Sequence, residues 1–264
     1  MLADTLPPMD DSIVFDRAAG FYDATRGFPP GVEERVADAF VAAGGLGPAS
    51  RVLEVGVGTG RIALPLAERV GHVVGVDRSA PMLAKLVEKR GPLPIALARA
   101  DAGRLPLPDA SVEAAVAVHV FHLIPGWRAV LAELARVLRP GGLLLHGGDD
   151  HARGEAWRRW RARTEAQFGV ENVGVPRARI ETFLEEEGWR PAGVETVRFA
   201  RRTRPRTLLD LIEGRSWSLT WRMSDTQLAE AVSALREDLV AAFGDLDREV
   251  EIETGFWVRA YQAA

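Results

Sequence analysis

Leu53-Glu54-Val55-Gly56-Val57-Gly58-Thr59-Gly60 is the stretch on which the reading of this chain turns. A short apolar run from Arg51 to Val55 passes into three glycines at alternate positions, and a helical pattern from Arg61 to Arg69 follows. Strand, tight turn and helix succeed one another here. Without Cβ atoms the turn lets a ligand approach the backbone. The helix N-terminus behind it offers unpaired N–H groups and a positive dipole end, suited to a carboxylate or a ribose. The spacing is G-x-G-x-G, not the dinucleotide fingerprint G-x-G-x-x-G, which disfavours a nicotinamide dehydrogenase. The same glycines would also serve strand-to-helix packing alone, so other residues must decide.

Outward from this turn, apolar runs of strand length alternate with helical patterns, the signature of βαβ units and a parallel sheet. Further strands are expected at His72 to Val76, Pro94 to Ala98, Val112 to Val118 and Leu143 to Gly147. Helices are expected at Ala80 to Arg90, with Ser79 as N-cap, and at Trp127 to Leu138, stopped by Arg139-Pro140-Gly141-Gly142. Pro65 should kink the helix that begins near Gly60. Upstream, one helical stretch holds Phe15, Ala18, Ala19 and Tyr22, and a second runs from Val32 to Gly44-Gly45. Beyond Asp149, helical patterns lead to Gly188 and a strand at Val194 to Phe199. Helices at Thr207 to Glu213 and Thr226 to Phe243 then precede an alternating strand from Val250 to Val258.

Two further acids fall at strand ends. Asp77 closes the second strand 21 residues after Gly56, about where an acid holds a ribose diol, although it could equally stabilise the dipole of the next helix. Asp101 closes the third strand, placed to accept a hydrogen bond from an exocyclic adenine amine. Glu54, Asp77 and Asp101 would then point at successive parts of one nucleoside.

These residues, with Asp101-Ala102 followed by Leu105-Pro106-Leu107-Pro108-Asp109, resemble the class I S-adenosylmethionine-dependent methyltransferases, in particular the quinone-biosynthesis C-methyltransferase type and its small-molecule relatives. Leu131-Ala132-Glu133-Leu134-Ala135-Arg136-Val137-Leu138-Arg139-Pro140-Gly141-Gly142 and the upstream Tyr22-Asp23-Ala24-x-Arg26 belong to the same resemblance, which covers Phe15 to Gly147. It implies a doubly wound, Rossmann-like α/β sheet of seven strands, mostly parallel with the last antiparallel. S-adenosylmethionine would be the cofactor and S-adenosylhomocysteine the product. Asp77 would hold the ribose, with Arg78 and Met82 beside it, while Asp101 and the backbone N–H of Ala102 would hold adenine. Gly56, Gly58, Gly60 and Glu54 would border the methionine part, under a cover carrying Tyr22 and Arg26. Ser111-Val112-Glu113 departs from the pattern, where relatives place an aromatic residue and an aspartate.

The expected organisation is a helical cover over 1–45, a cofactor core over 46–148, and the rest of the same domain over 149–264. Helical insertions are expected at about 150–187 and 204–246, and this last part would supply the acceptor pocket.

Composition sets bounds. With 264 residues, 47% hydrophobic and 27% charged, the chain can bury a sizeable core. A net charge of −4 gives no global field for nucleic acid or an anionic membrane. The absence of cysteine removes disulfides, thiolate metal sites and a cysteine nucleophile. No apolar run reaches the length of a membrane span and Met1 to Pro8 has no basic leader, so a cytoplasmic protein is expected. Of 33 basic residues 31 are arginine, which suits either a thermophile or a GC-rich genome. One arginine cluster comprises Arg153, Arg158, Arg159, Arg161 and Arg163; another comprises Arg198, Arg201, Arg202, Arg204 and Arg206. With acids interleaved and no RNA-binding motif, they read as solvated or salt-bridged surface rather than a nucleic-acid site.

The chemistry expected is in-line transfer of a methyl group to a small-molecule acceptor. An RNA methyltransferase of the same fold and a non-catalytic S-adenosylmethionine-binding protein are the competing readings. His119 and His122 follow the fourth strand. Each is a candidate base or a packing residue, His119 beside the cofactor and His122 at the start of the next helix. Their H-x-x-H spacing straddles a strand end and has no acid nearby, so no metal is expected. Phe28, Trp217 and Trp221 are candidates for an acceptor wall, alongside Trp157 and Trp160, and core packing competes with that role for each tryptophan.

Overall fold

β1, Arg51–Val55, is buried at every position after the first, because both of its faces are covered. A computed structural model describes residues 15–150, 160, 162, 164–167 and 175–263. β1 pairs in parallel with β2, His72–Asp77, on one side and with β4, Val112–Val118, on the other. β2 continues to β3, Ile95–Arg99, and β4 continues to β5, Leu138–Asp150, again in parallel. With β6, Arg190–Thr203, and β7, Val250–Gln262, the order is β3-β2-β1-β4-β5-β7-β6. The chain winds outward from β1 to β3 and then returns to β4 on the other side of β1. That reversal opens a crevice beyond the carboxyl ends of β1 and β4, where open α/β sheets bind ligands.

The described helices are α1, Tyr22–Arg26; α2, Val32–Gly44; α3, Ala63–Ala67; α4, Ala80–Arg90; α5, Trp127–Val137; α6, Arg177–Glu186; α7, Pro205–Glu213; and α8, Asp225–Phe243. Ser79 caps α4 by accepting from Met82 N at 3.3 Å, as its sequence position promised. Ser224 and Gln227 form a reciprocal capping box at the start of α8.

Three local expectations are corrected. The stretch around Phe15 to Tyr22 is a 3₁₀ turn, Asp16–Ala18, followed by the separate short α1. α3 is only five residues long, so Pro65 lies in its first turn, where a missing N–H costs no helical bond and no kink is required. Arg139-Pro140-Gly141-Gly142 ends α5 but does not separate it from the strand. Leu138 already pairs with Val112, and the next matched pair is Ala114 with Leu143, so the four residues form an irregularity inside β5. Gly141 at φ 79° makes that detour possible.

The chain forms two compact units. The first comprises Met1–Gly148, Val173–Val197 and Phe256–Ala264. One of its hydrophobic clusters gathers Leu53, Val55, Leu134 and Leu144 with Ile180 and Leu184 of α6. The second comprises Asp149–Asn172 and Arg198–Gly255. Its own core joins Trp160, Leu209, Ile212, Trp217, Leu235 and Leu239, and Trp160 Nε1 donates to Ala231 O at 2.7 Å.

Candidate active site

The turn after β1 is anchored to the neighbouring strand, since Gly56 N and Val57 N both donate to Val76 O, at 2.8 and 3.1 Å. Gly56, Gly58 and Gly60 all take positive φ, at 68°, 54° and 87°. They differ in what a side chain would meet. A Cβ on Gly56 would lie 2.3 Å from Val120 Cγ2, and one on Gly60 would lie 2.4 Å from Leu86 Cδ1. A Cβ on Gly58 would come no closer than 3.8 Å to anything, Met82 Cε being nearest. Two glycines therefore close the packing, while a Cβ at the middle one would meet only ordinary van der Waals contacts.

Asp77, at the end of β2, straps this turn to the start of α4. Gly58 N donates to its Oδ2 and Ser79 N to its Oδ1, both at 2.8 Å. Burial raises its pKa above the ordinary aspartate value, against the opposing pull of these N–H groups. Glu54 is more enclosed. It is 3% exposed, its Oε2 is buried with no hydrogen-bond partner, and burial, then the nearby Asp77 charge, raises its pKa well above the usual carboxylate range. A buried acid left half-satisfied beside a glycine cradle suits a cationic ligand.

Asp101, past the end of β3, accepts from Gly103 N at 2.8 Å and lies 3.5 Å from Arg78 Nη1. Ala102 and Met82 are buried. On the other side of the turn, Thr59 Oγ1 donates to Asp23 Oδ1 at 2.5 Å, and Lys89 Nζ reaches Asp23 Oδ2 at 2.8 Å. Asp23 thus ties the N-terminal segment to the glycine turn. Beside this tie a cavity of 230 Å³ is lined by Tyr22, Asp23, Arg26, Phe28, Glu33 and Arg61, among others including Gly60, with the Arg61 guanidinium 3.7 Å from the Phe28 ring centre.

His119 leaves β4 at φ 54°, an unusual conformation for a residue with a side chain, and its ring lies edge-on to His122 at 6.2 Å. Val120, the next residue, is the one that packs on Gly56. Trp217 is buried in the core of the second unit, where the partly buried Trp221 donates from Nε1 to Arg215 O at 2.6 Å. Trp157 and the first arginine cluster lie outside the described residues. In the second cluster, Arg202 pairs with Glu251 at 3.5 Å and Arg206 Nη2 with Asp247 Oδ2 at 2.9 Å. Among the described residues, no group of three or more His, Cys, Asp or Glu side chains could hold a metal ion, and no helix is long and apolar enough to cross a membrane.

Sequence reasoning missed His146 and its surroundings in this unit. His146 on β5 is buried between Phe121, at 5.2 Å, and Trp257 of β7, at 5.0 Å, and its Nδ1 has no hydrogen-bond partner. Burial, reinforced by His119, Arg177, Arg259 and His122, lowers its pKa to about 3. Proton uptake therefore favours the unfolded chain, whose histidine titrates near 6.5. This contribution is fully present above that value and is lost as pH falls toward about 3. His146→Phe should remove it: the melting temperature of the wild type, measured from pH 7 downward, should fall faster than the variant's. Parallel curves would contradict a buried neutral histidine.

Comparison with known proteins shows the family. The model of a methyltransferase domain family matches residues 53–146. An uncharacterized methyltransferase of Mycobacterium tuberculosis is 33% identical over 217 residues, spanning 80% of each chain. The chain belongs to the class I S-adenosylmethionine-dependent methyltransferases. A phosphatidylethanolamine N-methyltransferase of Cereibacter sphaeroides is 36% identical to this methyltransferase over 167 residues, 58% of this chain and 80% of the relative. A solved structure of Haemonchus contortus phosphoethanolamine N-methyltransferase 2 in complex with S-adenosyl-L-methionine shares the fold, at 20% identity and a TM-score of 0.55, covering 94% of this chain and 57% of that one.

Proposed function

We propose that this methyltransferase moves the methyl group of S-adenosylmethionine to a small-molecule acceptor held beyond the carboxyl ends of β4 and β5. The observation that carries the reading is the glycine turn after β1, which follows Glu54 with its buried, unpartnered Oε2 and at Gly58 would bring a Cβ no closer than 3.8 Å to its surroundings. Bound there, the cofactor supplies a methyl on a positively charged sulfur, which the acceptor's electron pair displaces in line, leaving S-adenosylhomocysteine.

The chain's own residues hold and orient. Asp77 keeps lone pairs beyond those used by Gly58 N and Ser79 N, and these receive the ribose hydroxyls. Asp101 and the N–H of Ala102 receive adenine, with Arg78 and Met82 at its border. Glu54 and the three glycines face the methionine part, and Tyr22 and Arg26 close over it. His119 and His122, which follow β4, are our candidates to take a proton from a hydroxyl or carbon acceptor, with Phe28 as a candidate apolar wall. The names of relatives that methylate an ethanolamine headgroup support a small acceptor rather than RNA.

The Thr59–Asp23 hydrogen bond makes the cover part of the cofactor site. Thr59→Val removes one such bond, worth about 1 kcal/mol. The KM for cofactor should rise severalfold with kcat nearly unchanged; an unaltered KM would detach the cover from the site.

The acceptor class is tested by incubating the protein and methyl-labelled cofactor with cell extract separated into metabolites and RNA. Label is expected in the metabolite fraction. Label confined to RNA, or none above a protein-free control, would overturn the proposal.

A further inference from the structure

We propose that the acceptor carries an oxyanion, a carboxylate or a phosphate, received by Arg177 where it lies across Trp257 beside the His119–His122 pair. This rests on the acceptor lying beyond β4 and β5, and all the residues concerned belong to the first unit.

Arg177 begins α6, and its guanidinium stands 4.8 Å from the centre of the Trp257 ring. Its side chain is 47% exposed. Stacking on an aromatic face leaves the N–H edge of a guanidinium directed outward, the edge that grips a carboxylate or phosphate with two parallel hydrogen bonds. Among the described residues Glu181 is the ion-pair partner of Arg177, at 3.7 Å and without a hydrogen bond. Glu181 Oε2 pairs with Arg259 Nη1 at 3.1 Å, while Oε1 stays 3.7 Å from Arg177 Nε, beyond hydrogen-bond range, and is buried with no hydrogen-bond partner. Two guanidinium groups thus share one carboxylate.

His146 lies beneath the same tryptophan and marks the site independently. It is enclosed by Phe121 and Trp257 and keeps a buried Nδ1 without a partner, a cost that a ligand's polar group can relieve. His119, Arg177, Arg259 and His122 all act to hold it neutral, with Glu181 as the acid facing them. Two guanidinium groups, Arg177 and Arg259, therefore face the single Glu181 carboxylate here.

The position suits the reaction. His146 pairs with Ala117 on β4, two residues before His119, and Val120 touches the glycine turn. An acceptor with its flat or apolar body against Trp257 and its charge on Arg177 would extend toward the crevice that holds the methyl donor.

The test uses the protein saturated with S-adenosylhomocysteine, titrated calorimetrically with benzoate, phenyl phosphate and the neutral benzyl alcohol. At least one anion should bind roughly tenfold or more tightly than benzyl alcohol, and the tighter of the two identifies the oxyanion. Arg177→Gln, at a half-exposed position, should reduce that anion to the level of benzyl alcohol while S-adenosylhomocysteine affinity and melting temperature stay unchanged. Equal binding of anions and alcohol, or an anion indifferent to Arg177→Gln, would overturn the proposal. S-adenosylhomocysteine affinity is measured first in both proteins, so a failure of the cofactor site is seen separately from a failure of the anion subsite.

Discussion

Gly58→Ala will weaken binding of S-adenosylhomocysteine by about ten- to a hundredfold, the ~1–3 kcal/mol that an overpacked contact costs, and leave most of the stability intact. The added methyl comes no closer than 3.8 Å to the protein atoms around it, so the expected loss of affinity comes from the proposed placement of the cofactor against this turn and not from a clash within the protein. Its structural penalty is that of φ 54° in a residue with Cβ, ~1–2 kcal/mol, which lowers the melting temperature by a few degrees in a chain of this size. Gly56→Ala makes the informative contrast. It adds the same strain at φ 68° and drives a methyl to 2.3 Å from Val120, so stability and binding should fall together. Calorimetry for binding and a thermal melt for each variant separate the two effects. A Gly58→Ala protein with wild-type affinity would show that the turn does not face the ligand.

Asp77→Ala will lower cofactor affinity by about 1–3 kcal/mol, the usual consequence of leaving buried polar partners unsatisfied. Gly58 N and Ser79 N lose their acceptor at once, and so do the ribose hydroxyls where the cofactor binds as proposed. Global stability should change less than affinity, because the substitution also removes a carboxylate that burial makes costly to ionise. The raised pKa adds a pH signature. The ionised form is the one that accepts from all these donors, so wild-type affinity should begin to fall with acidity at a higher pH than an ordinary aspartate would give. Asp77→Ala should lack that component. Unchanged affinity by calorimetry would remove Asp77 from the site.

What the sequence disclosed follows from how far apart the interacting residues lie along the chain. Glu54, the three glycines and Asp77 were legible because each sits at the end of a strand with a recognisable apolar run, and one spacing joins them. The capping of α4 by Ser79 was equally local. α3 read too long at both ends, from Arg61 to Arg69, although Pro65 fits only a first turn. The irregularity in β5 was read as a break, since proline and glycines stop helices and interrupt strands alike, and only the pairing of Leu138 with Val112 distinguishes the two.

The cluster around His146 lay beyond sequence reading for a different reason. His146 sits in an apolar run typical of a buried strand, and its partners Phe121, Arg177 and Trp257 come from elements distant in the chain. Periodicity cannot foresee that meeting. Trp257 occupies an alternating strand in which any large apolar residue would satisfy the pattern. Asp23 stands beside Tyr22 in its motif, yet its role as the tie to Thr59 and Lys89, 36 and 66 positions further along the chain, appears only in the folded protein.

A crystal structure with S-adenosylhomocysteine bound tests the central claim most directly. Both ribose hydroxyls should lie within hydrogen-bond distance of Asp77, with adenine against Asp101 and Ala102 and the amino-acid end beside Glu54 and Gly58. A ligand bound away from the glycine turn, or with its ribose out of reach of Asp77, would contradict this account.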